Sequence, residues 1–576
     1  MNAKTIIKNV LLKKTKYLLS IIFLMILTIT LKISIPLIVY HVINNIILTN
    51  DLNQNRILFW VMMTLLCAFS ILLFDMIRIK RTTVLGNEIT ASLVKSAHSN
   101  VLRSETLEVS KLNKDDIYNK IMTNSNLIGH KYFSKSVLLV LHHSIFFGGI
   151  IITIGIINPW FLLYNLIALP IYYFLSKQIK KFLIKKEEND KLYSDQLSKQ
   201  LYKNIDDVKH IKLLNGVEKE EENLDKLLAN VNKSYQKIIS LENLDNKFLI
   251  DLTINILFAT VIGFGTWMIL DSGSTTLGDM VIYFLLTPIL FSSFKTIMDT
   301  KILPRHYRKY FDELNEIIEL RPENRAFTVR SLDEIYSFKF KDVYYDYGRD
   351  SDFFLKDINF ELKKGEKLGI LGLSKSGKST ITDLIAKIIR PRQGSITINN
   401  CDINRIDTYY LRDLIAIVPQ KFRLTQETIV DNIIYPYRFD DYKYNDALNK
   451  CSLKPLIYSL PKKENTKIKN STISESDLQR IALANAFYKD AKIFVFDEVT
   501  SKMDQDTEEE MMDSIYRLKN KIIIVISNRI YNLINCDKIL ILNNGKIVEY
   551  GKTSELLADR KSTFAKMLDE SRSSIG

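Results

Sequence analysis

Long apolar runs fill the first half of the chain and short ones the second, with the change near residue 320. Tyr17–Val42, Leu58–Phe74, Val137–Ile157, Trp160–Leu175, Phe248–Leu270 and Leu277–Phe294 are almost free of charge. Each approaches the ~20 residues that a helix needs to cross a hydrocarbon core. The pattern therefore predicts six membrane spans, the first broken or kinked near Pro36. Between them, Arg78–Lys135 and Ser176–Lys247 are long, charged and helical in pattern, whereas Thr49–Gln54, Asn158–Pro159 and Asp271–Thr276 are short turns. Helices that run well past the membrane and turn at polar tips account for the long stretches.

From about Ser337 the period shortens to alternating strands and helices. Val343–Tyr347, Lys367–Leu371, Lys492–Phe496 and Ile522–Ser527 read as strands, Ile381–Ile389 as a helix, and Asn544-Gly545 as the turn of a final hairpin. The expected organisation is an α-helical six-span transmembrane domain (1–320), a linker (321–336) and an α/β P-loop ATPase domain (337–576).

Charge orients the spans. The net formal charge of +14 fits either a nucleic-acid binder or a membrane protein with basic flanks, and the apolar runs favour the second. The bilayer is thus the expected partner, with no nucleic acid. Lysines precede the first span, Arg78, Lys80 and Arg81 follow the second, and Lys177, Lys180, Lys181, Lys185 and Lys186 follow the fourth. The three short turns lack Lys and Arg, so both termini are expected in the cytoplasm of a cell-membrane protein. The first run is too long for the core of a signal peptide and has no small-residue cleavage site after it. Four scattered cysteines without a CxxC pair suggest neither disulfides nor a zinc site.

Some ionisable residues fall inside the runs. Lys32, His142 and His143 admit two readings: a transport path that favours a polar or anionic group, or interhelical pairing and snorkelling. Asp75 and Asp251, nearer the membrane edge, are expected to snorkel.

The chemistry centres on Gly372-Leu373-Ser374-Lys375-Ser376-Gly377-Lys378-Ser379-Thr380, a G-x-x-x-x-G-K-[ST] loop between a strand and a helix. Its glycines let backbone N–H groups turn inward, and the helix N-terminus adds a positive dipole. Lys378 is placed to reach the β- and γ-phosphates and Ser379 to bind Mg²⁺. Downstream, a buried-strand pattern ends in Asp497-Glu498. Asp497 would hold the Mg²⁺ shell and Glu498 polarise the attacking water.

These motifs and the six runs together resemble a half-transporter of the ATP-binding cassette exporter family, over essentially the whole chain. The resemblance implies that Tyr347 stacks on adenine, that residues 372–380 are the Walker A loop and Asp497-Glu498 the Walker B end, and that Gln420 is the Q-loop residue sensing Mg²⁺ and the γ-phosphate side. Ser501-Lys502-Met503-Asp504 resembles the D-loop, Lys114–Ser125 and Asp207–Gly216 the two coupling helices, and Thr276–Asp279 the entry to the sixth span. ATP and Mg²⁺ are the implied ligands.

Two departures stand out. The family's Leu-Ser-Gly-Gly-Gln signature is here Ile473-Ser474-Glu475-Ser476-Asp477: Ser474 remains, both glycines are gone, and two carboxylates approach where a partner's γ-phosphate would lie. The family's switch histidine is Asn528, which can donate a hydrogen bond but carries no charge. The resemblance therefore implies a dimer of half-transporters, a heterodimer in preference to a weakly hydrolysing homodimer. The expected activity is ATP-driven export, with a non-hydrolytic regulatory half as the alternative. Only about sixteen residues precede the first span, so no amino-terminal leader peptidase is expected. Peptide, lipid and hydrophobic drug all stay open as cargo, with a bacterial peptide or antimicrobial preferred.

Overall fold

The computed structural model describes residues 2–47, 54–271, 275–323, 329, 332, 334–348, 354–373, 376–420, 422–468 and 473–573. Two compact units result: residues 1–103 with 112–320, and residues 104–111 with 321–576.

In the first unit all six apolar runs lie in helices long and apolar enough to span a membrane. A short amphipathic helix comes first, α1 (Ala3–Lys13). Asn2 caps it, and it buries Ala3, Ile6 and Ile7. The sequence reading took these residues only as a basic flank. Next is α2 (Thr15–Val42), which contains Pro36 without ending there. Of the break or kink expected there, the break is absent, and α2 continues into a π-helical turn to Ile47. The longest helix, α3 (Gln54–Arg103), has 50 residues. At a rise of 1.5 Å per residue that is about 75 Å, more than twice a hydrocarbon core of ~30 Å.

Two five- and six-residue helices follow, α4 (Thr106–Ser110) and α5 (Lys114–Asn119). Wider π-helical stretches at Lys120–Asn124 and Leu127–Val137 then lead into α6 (Leu138–Ile157). The isolated tip helix is thus α4, whereas Lys114–Ser125 begins the return helix. The residues of α4 belong to the second compact unit. Asn158 caps α7 (Pro159–Asp206), and Pro159 fits the first turn, where no N–H is needed. The chain continues through α8 (Val208–Leu213), α9 (Val217–Asn243), α10 (Leu249–Asp271) and α11 (Leu277–Ile318); a Thr276/Asp279 capping box opens the last.

The second unit is layered. A four-stranded antiparallel sheet has the order β2-β1-β4-β5, from β1 (Ser337–Asp346), β2 (Phe354–Lys363), β4 (Gln393–Ile398) and β5 (Cys401–Asp402). A six-stranded sheet has the order β10-β9-β3-β8-β7-β6, from β3 (Lys367–Gly372), β6 (Ile415–Val418), β7 (Ile493–Asp497), β8 (Ile522–Ser527), β9 (Lys538–Asn543) and β10 (Lys546–Lys552). Strands β9, β3, β8, β7 and β6 run parallel, and β10 pairs antiparallel with β9. Strand period 2 divides the core: Ile493 and Val495 of β7 face α12 (Lys378–Ile385) and the antiparallel sheet. Phe494 and Phe496 face the other layer. That layer holds α14 (Ile429–Ile434), α15 (Asp441–Lys450), α17 (Glu475–Lys489) and α18 (Gln505–Tyr516), after α13 (Thr408–Leu414) and with α16 (Lys454–Ser459) between. Such double burial explains the unbroken apolar strands of the sequence.

Candidate nucleotide-binding site

The carboxyl ends of β3 and β7 are neighbours once removed in the parallel sheet, so the loop after β3 and the acidic pair after β7 meet at one edge. Two glycines shape the loop. A Cβ on Gly372 would lie 2.5 Å from Ser376 Oγ and 2.7 Å from the Leu542 carbonyl, and Gly377 turns into α12 at φ +112°. The Ser376 hydroxyl is buried and has no hydrogen-bond partner. Ser379, in the first turn of α12, is exposed. Ser374 and Lys375 lie outside the described residues. Leu373 is exposed, its carbonyl accepting from the Ser376 N–H.

Lys378, only 8% exposed, folds back over this loop. Its Nζ donates to the Gly372 carbonyl and lies 3.1 Å from Glu498 Oε1. Gln420 Nε2 donates to the other Glu498 oxygen. Glu498 is held at φ +50°, unusual for a non-glycine residue, with its N–H on the Ile526 carbonyl at 2.9 Å. The adjacent Asp497 is buried; burial, reinforced by the Glu498 charge, pushes its carboxyl up to about 6 against the pull of Lys378. Tyr347, just past β1, hydrogen-bonds Thr380 Oγ1 at 3.0 Å, with 44% of its surface exposed.

Sequence expectation and geometry agree in bringing Lys378, Gln420, Glu498 and Asp497 together. The residues fit a magnesium nucleotide. Asp497, Ser379 and Gln420 are oxygen donors, the class that Mg²⁺ takes, and the partnerless Ser376 hydroxyl sits in the curl of the loop.

Two predicted residues stand elsewhere. Ser474 caps α17: its Oγ accepts from the Asp477 N–H at 3.1 Å and donates to Asp477 Oδ2 at 2.7 Å. Arg480 also binds Asp477, so this carboxylate is drawn back onto its own helix. Glu475 stays exposed, 3.4 Å from Lys502. Asn528 is exposed after β8 and lines an open cleft of about 1350 Å³ with Leu371, Met503 and Glu508.

The sequence reading missed Glu508. This buried carboxylate accepts from Thr500 Oγ1 at 2.7 Å, from Asn532 Nδ2 at 2.6 Å and from Arg529. It ties the turn after Glu498 to the turn after β8. Its signal was a lone acid on the apolar stripe Glu508, Met511, Met512, Ile515 of α18.

Comparison with known proteins bears on this geometry. The model described as "ABC transporter transmembrane region" matches residues 18–294, and that described as "ABC transporter" matches residues 355–501. The chain belongs to the ABC transporter family. As an ABC transporter it is similar to the ATP-dependent lipid A-core flippase of Saccharophagus degradans, with 33% identity over 260 residues, 44% of each chain. It is also similar to the lactococcin-G-processing and transport ATP-binding protein LagD of Lactococcus lactis, with 25% identity over 72% of this chain and 60% of that one. The matches thus span between 44% and 60% of those relatives' own length. A bacterial Atm1-family ABC exporter, solved with ATP bound, shares the fold at a TM-score of 0.80 and 21% identity, over 97% of this chain and 98% of that one.

Proposed function

We propose that the chain is one half of a dimeric exporter that couples ATP hydrolysis to outward movement of cargo across the cytoplasmic membrane, with both termini in the cytoplasm. The reading assigns 1–320 to transport, 321–336 to a linker and 337–576 to the ATPase. The observation that carries it is Lys378 poised 3.1 Å from Glu498 at the mouth of the parallel sheet.

On binding ATP, Lys378 exchanges Glu498 and the Gly372 carbonyl for β- and γ-phosphate oxygens. The Tyr347 ring packs on the adenine. Glu498, released and held by its fixed backbone, orients the water that attacks the γ-phosphorus, with Gln420 beside it. Mg²⁺, held by Ser379, Gln420 and Asp497, would neutralise charge on the phosphates. Cassette closure is passed on through α4, which belongs to the compact unit of the ATPase and is joined in sequence to the spanning helix α3.

The state of the signature favours a heterodimer. The Asp477 N–H, at the N-terminus of α17 where a partner's phosphate would otherwise approach, is already spent on Ser474 Oγ, and Glu475 adds charge. A partner with an intact signature then completes the site at Lys378, while this chain's Ser474 segment faces a slow second site. For the cargo, the two relatives point different ways, to a lipid and to a bacteriocin peptide; a small peptide, an antimicrobial or a hydrophobic compound fits. The test is turnover of the purified chain, alone and with a co-encoded cassette protein, against Glu498→Gln: loss is expected. Asn528 favours a second reading, a regulatory half that hydrolyses nothing, for which Glu498→Gln changes nothing.

A further inference from the structure

One polar layer crosses the apolar bundle. Lys32 on α2 lies 2.7 Å from Asp75 Oδ2 on α3, and Arg78 Nε lies 2.9 Å from Asp75 Oδ1. On α6, His142 and His143 stack edge to face at 5.5 Å, and His143 Nδ1 is 3.2 Å from Ser293 Oγ on α11. Lys32, Arg78 and Asp75 are all within electrostatic reach of the His142 ring. Helices α2 and α6 pack side by side, with the Ile33 side chain against Gly149.

Interhelical pairing explains only part of this layer. Asp75 spends one oxygen on each cation, so a single negative charge faces two positive ones. Lys32 keeps two of its three donors and Arg78 four of its five after these contacts. The excess positive charge lies where α3 leaves its apolar run, within contact of Lys32 in the apolar run of α2. His142 is 4% exposed, and its Nδ1 has no hydrogen-bond partner. The layer is nevertheless reachable, since the Lys32 and Asp75 side chains are 29% and 21% exposed.

We propose that Lys32, Arg78, His142 and His143 form a recognition site for an anionic oxygen group, a carboxylate or phosphate, on amphiphilic cargo. This rests on the transport reading and gives it a substrate class. The excess charge attracts the anion, the spare Lys32 and Arg78 donors bind its oxygens, and His142 Nδ1 supplies a further polar contact from the opposite helix.

The test uses the full chain in phosphatidylcholine nanodiscs, without nucleotide, and compares radiolabelled N-dodecanoylglycine with its uncharged amide. The acid is expected to bind about tenfold more tightly, as charge-assisted hydrogen bonds require. Lys32→Gln leaves Asp75 paired with Arg78, spares the fold and should bring the ratio to about one. His142→Phe keeps the ring's bulk and every charge, and should lower the ratio by about threefold. Equal binding of acid and amide by the unaltered chain overturns the proposal. So does an unchanged ratio in either variant that still binds ATP. Because no ATP is hydrolysed in the assay, its result is independent of the Glu498 test.

Discussion

Lys378 Nζ and Glu498 Oε1 form a nearly buried ion pair 3.1 Å long, joining the first turn of α12 to the end of β7. Such a pair adds little net stability, because desolvating two charges costs about as much as their attraction returns. In the proposed function the pair holds each group ready for a phosphate-bearing ligand. Replacing Lys378 with Met removes the phosphate contact and leaves Glu498 unpaired. ATP affinity of the full chain should fall at least about tenfold, with turnover at background, in a fluorescent-nucleotide titration. Unchanged affinity would remove Lys378 from the site.

Tyr347 offers a ring and a hydroxyl, and only the hydroxyl is engaged, with Thr380. Tyr347→Phe should keep ATP affinity within about twofold, whereas Tyr347→Ala should lose about tenfold, the scale of one base stacked on an aromatic. Nucleotide titration decides it. Equal losses in both variants would assign the residue to holding α12 instead.

The signature segment makes a prediction of opposite sign. Glu475→Gly/Ser476→Gly removes one carboxylate and restores backbone access, while keeping the Ser474–Asp477–Arg480 cap that holds α17. Turnover of the dimer should rise by at least about threefold as like-charge repulsion is relieved. A steady-state phosphate-release assay checks this, and no change would count against an impaired second site.

Glu508 is a matter of stability. Truncation to Ala removes the acceptor of Asn532 and Thr500 and frees the exposed Arg529. The expected loss is about 2 kcal/mol, as for buried polar groups left without their partner. A thermal melt of the detergent-solubilised chain should show a clear drop for Glu508→Ala and a smaller one for Glu508→Gln, which keeps two of the hydrogen bonds.

Much of this site was legible because its parts are local. Gly372, Gly377 and Lys378 sit in one loop whose backbone dictates their identity, and Asp497-Glu498 end a strand buried on both faces. The spans were equally open to reading, since a bilayer demands their length. Pairings distant in sequence were not legible. Lys32 and Asp75 each looked solitary: Asp75 was expected to snorkel, yet it binds Lys32 and Arg78. Glu508 meets Arg529 only because α18 packs under β8. The short helix α4 carries no periodic signal in its five residues, so the sequence pattern did not mark it. Pro36 reads as a breaker, yet α2 passes through it. The turning back of Asp477 is a rotamer choice made by Arg480, one helical turn away.

The most direct test of the central claim is ATP turnover of the chain, assembled with its partner half, when Glu498 is changed to Gln. The side chain keeps its size and its contact with Gln420 but loses the charge that orients water. The account predicts ATP binding within about twofold of the unaltered chain and turnover lower by at least about 10²-fold. Turnover equal to that of the unaltered assembly would contradict it.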